Sequence, residues 1–168
     1  MRRRWSVAVA FGPEIMRSKL DDAPRVTFGT LELSGRFRIR PSIEIALGGR
    51  GGGAARGDLS TGGLYADVRY RFRAHQPLDV YAQLGLGVIS IAPENGSEVE
   101  KQGRGALRLG AGVEWRFTPL LGIAFELRIA GIGENPEVPT PIVPSLDYEM
   151  SRYSASSTQL ALDTSFYF

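Results

Sequence analysis

The residues from 156 to 168 alternate strictly between apolar and more polar side chains. Successive side chains of a β-strand point to opposite faces, so this pattern predicts a strand with one apolar face. The pattern runs to Phe168, which places an aromatic side chain at the end of the apolar face. Exposed apolar edges aggregate in water, and we therefore expect this strand to face lipid. The apolar face carries Leu160, Leu162, Thr164, Phe166 and Phe168.

The same period-two alternation predicts eight strands along the chain, each with one face almost free of charge. Strands of about ten residues cross a bilayer when they are tilted. No apolar stretch approaches the roughly 18 residues that a membrane-spanning helix needs. The predicted strands lie near residues 4–13, 26–40, 42–50, 62–73, 78–90, 105–117, 121–131 and 155–168.

The connections between these strands alternate in length. Tight turns are predicted at residues 40–42, 74–77 and 118–120, and longer loops at residues 12–24, 51–61, 91–103 and 131–154. Because consecutive strands run in opposite directions, every second connection lies at the same end of the barrel. The tight turns and both ends of the chain therefore lie at one end, and the long loops at the other. The prediction is an all-β protein: one transmembrane domain, residues 1–168, forming an eight-stranded antiparallel up-and-down barrel with short periplasmic turns and four longer extracellular loops.

Aromatic side chains collect on the apolar face at the tight-turn end. The general preference of aromatic residues for strands does not explain their collection at one end. A belt of Trp, Tyr and Phe at one level is typical of a membrane interface. The predicted aromatic girdle consists of Trp5, Phe37, Tyr70, Phe72, Trp115, Phe117, Phe166 and Phe168.

The opposite faces of the strands carry arginines and carboxylates in similar number, mixed with glycines. Because the lumen of an eight-stranded barrel is only just wide enough for side chains, buried charges there need opposite partners and small neighbours. A turn at residues 40–42 would set Arg38 opposite Glu44 and Glu32 opposite Arg50, and Asp79 would meet Arg71 or Arg73. The predicted lumen network is Glu32, Arg36, Arg38, Glu44, Arg50, Asp67, Arg69, Arg71, Asp79, Arg108, Glu114, Arg116, Glu126, Arg128 and Asp163.

A soluble lipocalin-like carrier is the main structural alternative, because its barrel turns the apolar face inward around a small lipid. The one-ended aromatic rim, Phe168 and the glycines of the charged face favour the membrane.

Composition excludes other classes of protein. The net charge of +2, spread along the chain, lacks the basic patch that nucleic acid requires, and the absence of cysteine excludes disulfides and thiolate metal sites. No cofactor or metal is expected.

With its strand count, loop alternation and C-terminal strand ending in Phe168, the chain resembles the small eight-stranded outer-membrane barrels of the OmpA and OmpX type. The resemblance implies the Gram-negative outer membrane, a lipid environment, recognition of the last strand by the assembly machinery, and a surface or anchoring role. It supplies no binding residues. Because the first strand begins close to Met1, the printed residues before it are too few for a secretory signal, and we expect such a signal upstream of Met1. We also expect a monomer.

Catalysis is not expected. The only histidine, His75, falls in a tight turn, and no motif pairs a nucleophile with a base. Arg56, Gly57 and Asp58 spell a tripeptide that integrins recognise, but it arises easily by chance in a chain rich in Gly and Arg.

The predicted function is a non-enzymatic surface barrel whose long loops carry any adhesion or recognition, with the fourth loop favoured. The alternative is a narrow pore or a lateral path for small apolar molecules.

Overall fold

The computed structural model describes residues 4–18, 25–55, 59–73, 76–93, 103–133 and 155–168. Within these ranges every regular element is a β-strand. The strands are β1 (Trp5–Ser18), β2 (Arg25–Arg40), β3 (Ile43–Ala54), β4 (Leu59–Arg71), β5 (Leu78–Pro93), β6 (Arg104–Arg116), β7 (Leu121–Ile132) and β8 (Ala155–Tyr167).

The strands form one closed barrel in which each strand pairs antiparallel with its sequence neighbours. The barrel closes where β8 pairs with β1, from Ser6 opposite Tyr167 to Ser18 opposite Ala155. Closure removes the unpaired edges that an open sheet would present. The predicted fold class is therefore confirmed. In the part of the chain that the structure describes, no helix is long and apolar enough to cross a membrane.

The tight turns fix the register of the strands that they join. As predicted from the turn at residues 40–42, Arg38 lies opposite Glu44 and Glu32 opposite Arg50. In the last tight turn, the Thr118 hydroxyl accepts hydrogen bonds from the backbone N–H groups two and three residues further on, at 3.1 and 3.0 Å. A hydroxyl in this position stabilises a short turn by satisfying backbone donors that the strand ladder leaves free.

The side chains alternate between the outside and the inside of the barrel as the sequence predicts. Leu64 is 72% exposed and Phe125 63%, whereas Arg36 is 2% exposed and Asp163 is fully buried. A soluble carrier would show the opposite arrangement, with charges outside and apolar side chains within. The lipocalin-like alternative is therefore wrong.

The strands extend further at the long-loop end than predicted. β1 continues to Ser18, β3 to Ala54 and β5 to Pro93, while β4 already begins at Leu59. The predicted loop bounds at 12–24, 51–61 and 91–103 are therefore wrong, and the connection between β3 and β4 is only four residues, 55–58, instead of the eleven predicted. The reason is that apolar side chains move to the inner face near this end, so a search for uncharged outer faces loses its signal there.

Candidate functional site

The charged residues predicted for the lumen all occupy inward-facing positions of the strands. All are buried except Arg116, whose side chain is 20% exposed at the tight-turn end. The buried set comprises Glu32, Arg36, Arg38, Glu44, Arg50, Asp67, Arg69, Arg71, Asp79, Arg108, Glu114, Glu126, Arg128 and Asp163. We call these residues, with Arg116 and Glu14, the ion-pair network.

Arg71 binds three carboxylates near the tight-turn end. Its guanidinium donates to Asp79 at 2.8 Å and to Glu114 at 2.7 Å, and it also reaches Glu44 at 3.3 Å. It lies 5.5 Å from the centre of the Tyr81 ring. A guanidinium can do this because its N–H donors point in several fixed directions at once. Arg71 thereby joins β3, β5 and β6 to its own strand, β4.

The carboxylates around Arg71 have further partners. Glu44 also accepts a hydrogen bond from Arg38 at 3.2 Å. Glu114 accepts one from Arg116 at 2.8 Å and another from the Tyr167 hydroxyl. Several donors thus share each buried carboxylate, which is the condition under which a buried charge is tolerated.

A second group of ion pairs lies further from the tight turns. Glu126 contacts Arg69 at 2.7 Å and also pairs with Arg128. The Nη1 atom of Arg128 lies 2.5 Å from Oε2 of Glu32, and the Nη2 atom of Arg108 lies 3.4 Å from the same oxygen. Because β2, β4, β6 and β7 all contribute, the chain of contacts crosses the lumen rather than following the wall.

The pair between Arg36 and Asp163 reaches past a strand. Arg36, on β2, donates to Asp163 and, at 2.8 Å, to Ser165, both on β8. The intervening strand β1 presents Ala8 and Ala10 on its inner face, and these short side chains leave the path open. Small residues on one strand therefore permit a long cation to pair with the strand beyond it.

Glu14 belongs to the network but was assigned to a loop by the sequence prediction. It is fully buried on β1 and pairs with Arg50. Arg50 lies opposite Glu32 in register, as predicted, but the ion pair of Arg50 in the structure is with Glu14 instead. Period two from Ala10 reaches Glu14 directly, so the signal was present, but Pro13 and Gly12 suggested a loop.

Inward-facing glycines make room for the large side chains of neighbouring strands. A Cβ atom on Gly85 would lie 1.7 Å from an oxygen of Asp67, and one on Gly112 would lie 2.6 Å from the Tyr81 ring. Real Cβ atoms do not approach other atoms this closely. These glycines are therefore part of the site, because they provide the volume in which the charged and aromatic side chains lie.

Asp67 differs from the other acids of the network. It is 2% exposed, yet neither carboxylate oxygen has a hydrogen-bond partner in the structure. A buried carboxylate without hydrogen bonds is costly to keep charged. Internal water is the usual partner of such groups, and polar atoms of Gln83 and Arg108 are likewise buried without a partner.

The long-loop end of the lumen is mainly apolar, although the buried Arg104 also lies at this level, opposite Ile89. On β2 the inward positions change from Glu32 and Thr30 to Phe28 and Val26, while the outward positions change from leucine to Thr27 and arginine. The polarity of the wall therefore inverts along the strand. We call the buried apolar residues at this end the apolar layer; it comprises Met16, Val26, Phe28, Leu59, Ile89, Ile91, Ala106, Ile132 and Ala155.

The residues of the predicted aromatic girdle lie on the outer face at the tight-turn end. Trp5 lies opposite Phe37 in register, with ring centres 4.6 Å apart. The ring centres of Trp115 and Phe117 are 4.4 Å apart. Tyr70, Phe72, Phe166 and Phe168 are also exposed on this face. Their common level is what a girdle requires, and the interfacial role stays a prediction.

The chemistry available in the lumen is that of paired and buried charges. Among the described residues, no group of three or more His, Cys, Asp or Glu could hold a metal ion. His75, residues 56–58 and most of the predicted fourth loop, residues 134–154, lie outside the described residues. The arrangement can fill the lumen and fix its walls.

A closed eight-stranded barrel with an apolar outside and a charged inside is typical of outer-membrane proteins. The family model for the outer membrane protein β-barrel domain matches residues 9–166. The chain belongs to this family. No curated protein matches this chain.

Several solved outer-membrane structures are similar to this barrel. Neisserial surface protein A has a TM-score of 0.80 at 17% identity, over 98% of this chain and 97% of that chain. The outer membrane enzyme PagL has a TM-score of 0.58 at 15% identity, over 94% and 97%. Ail, the attachment invasion locus protein of Yersinia pestis, has a TM-score of 0.51 at 17% identity, over 100% of both chains. Identities this low show a shared fold, and that fold serves surface proteins and an enzyme alike.

Proposed function

We propose that this protein is a closed, non-conducting outer-membrane barrel, without enzymatic activity, that displays its long connections at the cell surface. The observation that carries the proposal is the ion-pair network, whose members pair across the lumen from non-adjacent strands. Arg36 on β2 pairs with Asp163 on β8, and Arg71 on β4 pairs with Glu114 on β6. Pairs of this kind occupy the space through which ions would have to pass.

The apolar layer adds a second barrier at the long-loop end. Met16 and Phe28 are fully buried there, and Leu59 and Ile89 are 1% exposed. An apolar constriction resists wetting, so ions would have to shed their hydration to cross it. The two barriers differ in chemistry and act in series.

Recognition, in this proposal, belongs to the connections at the long-loop end, and residues 134–150 are the favoured segment. Two of the similar structures carry names that denote a surface protein and an attachment protein. Deleting residues 134–150 should abolish binding to a host-cell or matrix surface and leave the barrel resistant to heat in detergent. Binding that survives the deletion contradicts the assignment.

Conductance in planar bilayers tests the closed lumen. We expect no steady channel from the purified full-length chain, and brief openings at most. A variant carrying Arg36→Ser and Asp163→Ser, which removes both charges of the pair that reaches past β1, should raise the frequency of openings. A large and steady conductance from the unmodified protein would refute the proposal.

A narrow pore or lateral path for small apolar molecules is the second candidate, and the apolar layer is the observation that favours it. Such molecules cross apolar surfaces that exclude ions. Uptake of an apolar fluorophore into vesicles containing the protein discriminates between the two. Uptake that exceeds that of protein-free vesicles, and that Phe28→Asp abolishes, would support the path.

A further inference from the structure

A β-bulge at the tight-turn end turns Arg40 towards the outer wall of the barrel. Arg38, on β2, is buried in the lumen, and the register then shifts so that Arg40 lies opposite Ile43. Ile43 in turn lies opposite Tyr70, which is exposed on the outer wall. Residues that lie opposite each other in a sheet share a face, so Arg40 belongs to the outer wall. The extra residue of the bulge, Ile39, is what re-aims it, since unbroken alternation would direct Arg40 into the lumen.

A second exposed arginine stands close to Arg40. Arg4 directly precedes β1, and its carbonyl oxygen accepts a hydrogen bond from the backbone N–H of Arg38 at 2.8 Å. Arg4 is therefore one strand away from β2 and level with a position two residues before Arg40. Both side chains are exposed. Because an arginine side chain is longer than the spacing between strands, the two guanidinium groups can reach a single lipid headgroup.

The segments at the tight-turn end contain no Asp or Glu. This holds for residues 1–4, 40–42, 72–77 and 117–120, in described and undescribed positions alike. The acids of the adjoining strands are buried in the lumen, where they pair with Arg71: Glu44, Asp79 and Glu114. Among the described residues neither Arg4 nor Arg40 forms an ion pair. The side chains of this end therefore supply two exposed cations and no exposed anion.

The two arginines lie at the edge of the aromatic girdle. Trp5 directly follows Arg4, and the ring centres of Trp5 and Phe37 are 4.6 Å apart. On β4, Tyr70 and Phe72 are exposed and make an edge contact, with ring centres 5.1 Å apart. Aromatic side chains at one level are typical of the border between hydrocarbon and headgroups, and arginines near that border extend into the headgroup layer.

We propose that Arg4 and Arg40 form a binding site for an anionic phospholipid headgroup, in the leaflet that contacts the tight-turn end. Guanidinium groups donate paired N–H bonds to phosphate oxygens. A headgroup with a net negative charge is favoured over a zwitterionic one, whose ammonium group the arginines repel. The acyl chains of the bound lipid lie along the apolar wall, against Trp5, Phe37 and Ile39.

Quenching of tryptophan fluorescence by brominated lipids tests the site. The chain has two tryptophans, both exposed at the tight-turn end, and Trp5 is beside the arginines whereas Trp115, on β6, is on the opposite side of the barrel from β2. Each is measured alone, in the full-length chain carrying Trp115→Phe or Trp5→Phe. The protein is folded into vesicles that contain brominated phosphatidylglycerol or brominated phosphatidylcholine, and the ratio of the two binding constants is determined.

The expected result is a preference for phosphatidylglycerol at Trp5. The double variant R4Q/R40Q should reduce that preference by about fivefold to thirtyfold, at about fivefold for each arginine at an anionic surface. At Trp115 the same variant should leave the ratio unchanged. Because the preference is a ratio of two lipids, a change in the depth of Trp5 affects both constants and cancels.

A matched control removes two exposed arginines from the other end of the same two strands. The variant R17Q/R25Q changes β1 and β2 by the same charge, about 40 Å along the strand from Trp5, and should keep the preference. An equal loss in both double variants, or an equal loss at both tryptophans, would refute a local site. A preference at Trp5 that R4Q/R40Q leaves intact would refute the role of the two arginines.

Inorganic phosphate separates the lipid from a free anion. If phosphate abolishes the preference and chloride at the same ionic strength does not, the site takes free anions and the lipid assignment is overturned. Heat-resistant migration in detergent gels verifies that each variant is folded. The vesicles have the same lipids in both leaflets, so the result does not depend on which side of the membrane the tight turns face, and the conductance assay decides separately on the closed lumen.

Discussion

Replacing Arg71 with methionine is the sharpest test of the ion-pair network. The side chain is fully buried, and it binds Asp79, Glu114 and Glu44 at 2.8, 2.7 and 3.3 Å. Methionine retains much of the volume and removes the charge. The three carboxylates then share a region that has lost its central cation.

The magnitude follows from the partners that remain. Three charge-assisted hydrogen bonds at about 1.5–3 kcal/mol each would set an upper limit near 9 kcal/mol. Glu44 keeps Arg38, and Glu114 keeps Arg116 and the Tyr167 hydroxyl, so neither carboxylate is left without a donor. We therefore expect a loss of about 3–5 kcal/mol in the free energy of unfolding, the range found when one partner of a buried ion pair is removed.

The assay is equilibrium unfolding in urea of protein folded into phospholipid vesicles, followed by tryptophan fluorescence. Both tryptophans, Trp5 and Trp115, are exposed on the lipid-facing side, so their emission reports transfer from lipid to water. Arg73→Met is the control, because Arg73 is exposed and only two residues away. A loss below about 1 kcal/mol for Arg71→Met, the typical value for an exposed pair, would refute the reasoning.

Three further substitutions test the other parts of the interior by the same unfolding assay. Gly85→Ala should cost about 1–3 kcal/mol through overpacking against Asp67, whereas Gly35→Ala, with nothing within 4 Å of its Cβ, should be close to neutral; equal effects would contradict the packing argument. Phe28→Ala should cost about 3–5 kcal/mol by leaving a cavity, and a similar loss for the lipid-facing Phe11→Ala would show that the apolar layer has no special role. Asp67→Asn should change stability by less than about 1 kcal/mol because no hydrogen bond is lost, and a loss like that of Arg71→Met would mean that Asp67 is paired.

The fold could be predicted from the sequence because period two is simple to detect when the two faces differ in polarity. Over the central stretch of β6, Leu107 to Trp115, apolar residues occupy every second position and charged residues or glycines the others, and the strand bounds agree closely with the structure. Turn lengths then fixed the register, as at Arg38 and Glu44. Both signals are local, and an up-and-down barrel contains only local pairings apart from its closure.

The partners within the lumen could not be predicted in the same way. Register places Glu32 opposite Arg50, but Glu32 pairs with Arg108 and Arg128 from other strands. An arginine side chain is longer than the spacing between strands, so its partner depends on which neighbours are small enough to let it pass. That condition involves several strands at once, and no single hairpin carries the information.

The inversion of polarity explains why one sequence pattern can specify two environments. The strands are longer than the nine to eleven residues that cross a bilayer, and we expect the excess to lie at the long-loop end, with water outside the wall there. A wall in water gains from apolar side chains within, as at Phe28, and from polar ones outside, as at Arg25. Apolar and polar side chains continue to alternate along the strand, but the apolar side chains move from the outer face to the inner face. The level at which they move therefore indicates the membrane border. If that border is correct, charged substitutions on the outer wall should be tolerated at Thr27 and destabilising at Leu33, three outward positions further into the bilayer.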